Sequence, residues 1–257
     1  MATWTIFPYA GDYQYDADSL RRAWSRLHGG DQEPLPQDPR LLEAWALYHN
    51  GEFQRAMEAG LQLGLSGVTL ANKAASVYAT YLEKTERRRL ELFAEVAERA
   101  QAHAKQDPDN PNAHYWHAYA LGRYNQGISV AKSVAQGLGG KVKESLERTI
   151  ALEPRHADAH IALGAFHADM IDKVGALIGS MTFGARKDVG LTLFEQAMRI
   201  NVASVLAMVE YANALMMLEG DKKLKEATRW YRKAAASTPA DAAERLEVER
   251  ARAGLRD

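Results

Sequence analysis

The chain has 257 residues, 47% of them hydrophobic, with 32 Lys and Arg against 33 Asp and Glu. A net charge of −1 gives no overall attraction for nucleic acid or an anionic membrane, so either would need a local patch. No cysteine occurs, which removes disulfides, thiol nucleophiles and thiolate metal sites and fits a reducing, cytoplasmic setting.

Residues 1–39 read as an N-terminal arm with one short helix. Its leader, "TWTIFPYAGDYQY", carries Trp4, Phe7, Tyr9, Tyr13 and Tyr15 but lacks the basic start and apolar run of a signal peptide. No window of the chain approaches the roughly 20 apolar residues of a spanning helix. Prolines then punctuate the sequence at 34, 36 and 39, at 108 and 111, at 154 and at 239. The stretches between them are rich in Ala, Leu, Glu, Arg and Lys, the strongest helix formers, and β-branched residues do not alternate with polar ones. The expected class is all-α.

Paired helices follow in order. "ALYHNGEFQRAMEAGLQLG" places a turn at Asn50–Phe53 before Ala56, and a second pair spans about Leu70 to Gln106. Further on, first helices carry a large residue followed by a large–small pair: Trp116 with Tyr119 and Ala120, His160 with Leu163 and Gly164, Met208 with Tyr211 and Ala212. Second helices repeat a small–large–small spacing, as Val142, Leu146 and Thr149 before Pro154; Gly190, Phe194 and Ala197 before Val202; and Ala227, Tyr231 and Ala234 before Pro239. Small side chains let two helices cross closely while a large neighbour fills the adjacent gap.

This pattern resembles the tetratricopeptide repeat, whose unit is about 34 residues. The resemblance covers residues 40–239, about five hairpins, and implies a right-handed α-α superhelix, with residues 240–257 as a C-terminal capping helix. Two hairpins are longer than the unit, through insertions at 125–140 and 170–187. "ALGRYNQGISVAKSVAQGLGGKVKESLERTIALEP" and "HADAHIALGAFHADM" are also similar to the divergent branch containing regulator-of-microtubule-dynamics proteins and the T component of TRAP transporters. The membrane anchor or lipoprotein leader common in that branch is not expected here.

The insertions invite other readings. "QGLGGKVKES" is glycine-rich and basic, yet a phosphate loop needs G-x-x-x-x-G-K-[ST] after a strand; here Ala135 stands where the first glycine belongs and Val142 follows Lys141. Gly137, Gly139 and Gly140 are instead expected to end a lengthened first helix. In "IDKVGALIGSMTFGARK", Ile171, Val174, Ile178 and Met181 form an apolar stripe ended by Gly184. The two arms are expected to pack together as a satellite core, with a partner-docking or membrane-touching ridge as the alternative.

No catalytic or metal motif stands out. His156 with His160, His114 with His117, and His160 with His167 share helical faces, but no H-E-x-x-H occurs and His160 and His167 fall on packing positions. G-x-S-x-G is absent. Arg87, Arg88 and Arg89 point in different directions at a helix start and make no shared basic–aromatic face for RNA. A non-catalytic protein without cofactor or metal is expected.

In the repeat family, first helices line a concave groove that takes ligands. Carried over, that face comprises Asn72, Ala75, Ala79 and Leu82; His114, His117, Leu121 and Tyr124; Asp158, Ile161, Ala165 and Ala168; and Leu206, Val209, Asn213 and Met216. It is mostly apolar, and without Lys or Arg it argues against a clamp for a terminal carboxylate. Either the aromatic leader or a protein or peptide partner fills it. The alternatives are a small-molecule-binding accessory like the TRAP component, which needs an enclosed pocket, and an enzyme with buried ionisable residues converging across hairpins.

Overall fold

The computed structural model describes residues 4–255, and every regular element among them is helical. The chain divides into two compact units, each built from three stretches of sequence. The first comprises Met1–His28, Glu33–Leu152 and Asp241–Ala243. It holds α1 (Ala17–Leu27), α2 (Pro39–His49), α3 (Phe53–Gln62), α4 (Val68–Tyr81), α5 (Glu86–Gln106), α6 (Pro111–Gln126), α7 (Val130–Ala135) and α8 (Leu138–Leu152). The second, Gly29–Gln32, Glu153–Ala240 and Glu244–Asp257, holds α9 (Ala157–Val174), α10 (Ala176–Phe183), α11 (Lys187–Ile200), α12 (Val205–Glu219), α13 (Leu224–Ala235) and most of α14 (Ala242–Ala253).

In the first unit α2 pairs with α3, α4 with α5 and α6 with α8, while α3 packs on α4 and α5 on α6. In the second α9 pairs with α11 and α12 with α13, α12 also packing on α9. Side chains at the helix starts fix the turns. Asp38 and Asn110 cap helices that begin with Pro39 and Pro111, where the missing proline N–H has no intrahelical partner to lose. Ser204 caps α12, and the His156 ring accepts from the Ala159 N–H to cap α9.

The small-to-large rule holds at the predicted positions. A Cβ on Gly164 would lie 2.8 Å from the Phe194 ring, and one on Gly190 would lie 3.1 Å from the His167 Cβ, so α9 and α11 approach closely because both lack side chains there. Phe194, Ala197, Ala207 and Ala214 are buried together in one core. Val142, Leu146, Thr149, Ala227 and Ala234 are likewise buried. One face of α14 closes a cluster in which Val248 and Ala251 meet Val205, Met208 and Ala234.

The insertions depart from expectation. Gly137, with φ +62°, turns the chain, but Gly139 and Gly140 already belong to α8. The first helices end before these glycines: α6 stops at Gln126, and α9, at 18 residues, is separated from α10 by Gly175, with φ +82°. That break divides the Ile171–Met181 stripe between two helices. Gly184 ends α10 in the left-handed conformation as expected. The apolar residues of α10 are open, Leu177 at 74% exposure, Ile178 at 56% and Met181 at 81%.

Candidate functional site

The residues assigned to the groove are mostly held within their own hairpins. Asn72 is buried on α4 and its Oδ1 accepts from Arg99 Nε of α5 at 2.6 Å; burial lowers the Arg99 pKa. Ala75, Ala79 and Leu82 are buried as well. His117 lies 2.8 Å from Ser145 Oγ of α8, and burial, reinforced by His114 and Lys141, pushes its pKa down. His114 Nε2 lies 2.9 Å from the Pro108 carbonyl, which it caps. Leu121 is half-buried.

Tyr124 is half-buried too. Its hydroxyl accepts from Lys132 Nζ at 3.2 Å, and it lines a cleft of about 580 Å³ with Glu86, Arg87, Leu90 and Lys132.

In the second unit Ile161 is 2% exposed and sits in the core with Phe194 and Ala168, so its expected place on a groove is corrected. A first helix buries part of every face where its partner and the next hairpin both pack on it, and the helical period alone does not say which. Asp158 donates its backbone N–H to the Gly30 carbonyl at 3.0 Å. Asn213 accepts from the Tyr231 hydroxyl of α13 and donates to Glu210 at 3.3 Å. Met216 packs against the Leu215 and Ala227 cluster.

The leader has a definite place. Trp4 and Phe7 are buried, at 8% and 3% exposure, while Thr5 and Ile6 between them are open. Trp4 stacks on Tyr78 of α4 with ring centroids 4.0 Å apart, and Phe7 meets Phe53 of α3 edge-on at 6.1 Å. It therefore lies over the α2–α3 turn and α4, held by side chains that the groove assignment did not include.

Histidines serve as hydrogen-bonding core residues. His160 reaches the Pro154 carbonyl at 3.0 Å, and His167 accepts from the Arg186 N–H at 3.1 Å. In the first unit a buried chain missed by the spacing argument runs from Asp241 to His49 Nδ1 at 2.6 Å and from His49 Nε2 to His28 Nε2 at 3.3 Å. The two ring nitrogens of His49 thus face different partners, Nδ1 the Asp241 carboxyl and Nε2 the His28 ring. Trp24 stacks on His28 at 4.0 Å, and Trp45 and Tyr48 pack around His49, so the three groups are sealed from substrate. Its members lie 21 and 192 residues apart, beyond any local pattern. Among the described residues no group of three His, Asp or Glu has metal-holding geometry, and no helix is long and apolar enough to cross a membrane.

What remains open is α10. Its eight residues, Ala176–Phe183, contain no charge, and of them only Gly179 is buried. The signal available in the sequence was the Leu177–Ile178 pair in an uncharged window bracketed by Gly175 and Gly184.

A family profile described as RMD1-3, "Regulator of microtubule dynamics protein 1-3", matches residues 43–256. The chain belongs to this family. Among solved structures, a thermophilic TPR protein of Thermus thermophilus is similar at 16% identity and a TM-score of 0.58, over 83% of this chain and 97% of that one. That likeness establishes the fold as tetratricopeptide-like, in agreement with the spacing of small and large residues. No curated protein matches the chain.

Proposed function

We propose that this member of the family is a non-catalytic scaffold that binds a protein partner, and that it docks the partner on α10. The observation that carries the reading is the exposure of Leu177, Ile178 and Met181, at 56 to 81%, on one uncharged helix. Burying three such side chains contributes roughly 1.5–3 kcal/mol each, enough to anchor an interface that polar contacts then complete. The family's description concerns regulation of microtubules, which favours a protein partner over a small substrate. Two clefts of the first unit, of about 740 and 580 Å³, are open to solvent rather than enclosed.

A photo-crosslinking residue placed at Ile178 tests this reading. It is expected to label one discrete protein in cell extract, and L177D/M181D is expected to abolish that labelling while the helical signal stays unchanged. Labelling from a probe at Tyr124 alone would move the site to the cleft beside α7. Co-sedimentation with neutral phosphatidylcholine vesicles, without protein labelling, would assign α10 to a lipid surface instead.

A further inference from the structure

We propose that the face formed by α2, α3 and α4 is a peptide-recognition site for a non-helical segment with a tryptophan and a phenylalanine three residues apart, and that residues 4–16 of this chain occupy it as a built-in competitor. The site belongs to the first unit and is independent of α10.

Residues 4–15 form no helix or strand, so their backbone N–H and C=O groups have no ladder to satisfy them. The Asp12 N–H turns back to the Tyr9 carbonyl at 3.1 Å, and side chains of the helical face hold backbone groups on either side of that turn. Gln54 Oε1 accepts from the Trp4 N–H at 2.9 Å, and the Gln54 amide is held in that orientation by donating to Glu58 at 3.0 Å. The Tyr78 hydroxyl accepts from the Thr5 N–H at 3.2 Å. At the other end Asn50 holds both backbone groups of one residue: Oδ1 accepts from the Tyr15 N–H at 2.7 Å and Nδ2 donates to the Tyr15 carbonyl at 3.0 Å. Contacts to backbone groups bind any extended sequence; the choice of sequence comes from the pockets between them.

Those pockets are shaped for rings. Tyr78 offers a flat face on which the Trp4 indole stacks. Phe7 lies over Gly51, where a Cβ would overlap its ring, and against the edge of Phe53. Gly51 also has φ +88°, so the residue that completes the turn is the one whose missing side chain makes the pocket. Thr5 and Ile6 face outward, Ile6 at 79% exposure, which gives two anchors with two unconstrained residues between them. Beside the leader a cleft of about 740 Å³ leaves room for bulkier outward side chains.

A tethered occupant competes at an effective concentration in the millimolar range, so the intact chain should bind a free peptide weakly and a chain with a weakened leader should bind it well. The probe is a fluorescent synthetic peptide of residues 4–16, titrated against three full-length proteins: wild type, W4A/F7A, and W4A/F7A carrying Y78A. Expected is binding to W4A/F7A at least about tenfold tighter than to wild type, loss of that gain with Y78A, and failure of a W4A/F7A peptide to bind. Dimers of W4A/F7A with a second, intact chain would support the same site, filled by a partner copy's leader. A folded W4A/F7A chain that ignores the peptide, or binds the alanine peptide equally, overturns the proposal. If W4A/F7A fails to fold, a protease site at Gly11–Asp12 in the native chain supplies the readout. After cleavage, exchange of the cut leader for labelled peptide supports the site, and retention of the leader through days of dialysis makes it a core element and overturns the proposal.

Discussion

The two insertions occupy the same place in their hairpins, between first and second helix, and have opposite chemistry. Residues 127–137 contain α7 with Ser129 as its cap, and Lys132 folds back over the Tyr124 ring, with Val134 exposed beside it. Residues 175–184 contain α10 without any charge and leave three large apolar side chains open. An insertion that merely lengthens a turn is expected to be solvated, as α7 is. One that keeps apolar side chains exposed has a cost in solubility that a docking role explains. The lesson is that the same position in the repeat accommodates arms whose outward faces differ in chemistry.

The comparison breaks if the framework beneath α10 proves no more exacting than that beneath α7. Phe194→Ala empties the pocket between Gly164 and Gly190 and should destabilise by about 3–5 kcal/mol in urea unfolding. Gly164→Val forces a side chain against the same ring and the Gly190 carbonyl and should cost about 1–3 kcal/mol. Gly137→Ala in the α7 arm meets no atom within 4 Å and pays only for its φ of +62°, about 1 kcal/mol.

A pH series sharpens the contrast from the side of the first unit. Burial lowers the pKa of His103 and His117 below the ordinary histidine value of 6.5. The unfolded chain therefore takes up these protons first, so their effect is absent above about pH 6.5 and stability falls as the pH drops through and below it. His117→Asn should make the decline in Tm between pH 7 and 5 shallower, and an unchanged slope would remove His117 from the account.

The smallest stability effects carry the functional contrast. L177D/M181D and Val134→Asp should each change stability by no more than about 0.5 kcal/mol, since all three side chains are exposed. Only the first should abolish partner labelling from position 178. Equal loss in both variants would make the arms equivalent and withdraw the assignment of α10.

Much of the framework was legible because packing constraints repeat. Gly164, Gly190, Phe194, Ala197, Ala227 and Ala234 recur at fixed spacings along their helices where neighbouring helices cross, and a spacing rule finds them. The groove face was less legible. Asn72, His117 and Asn213 sit at spacings compatible with a lining role, yet each bonds to the second helix of its hairpin. A helix packed on two or three neighbours has little face left over, and periodicity identifies faces without naming what covers them. The Asp241–His49–His28 chain lay beyond reach for another reason, since hydrogen bonds across such sequence separations leave no local pattern.

By itself the sequence determined an all-helical chain, the hairpin pairing and the small residues at the crossings, because secondary-structure period and close contact are local properties. Only the tertiary structure decided that the leader is clasped by Asn50, Gln54 and Tyr78, that Gly175 breaks one arm in two, and that α10 keeps its apolar face open. Those outcomes depend on which surfaces meet, a competition settled by the burial available once all helices have packed.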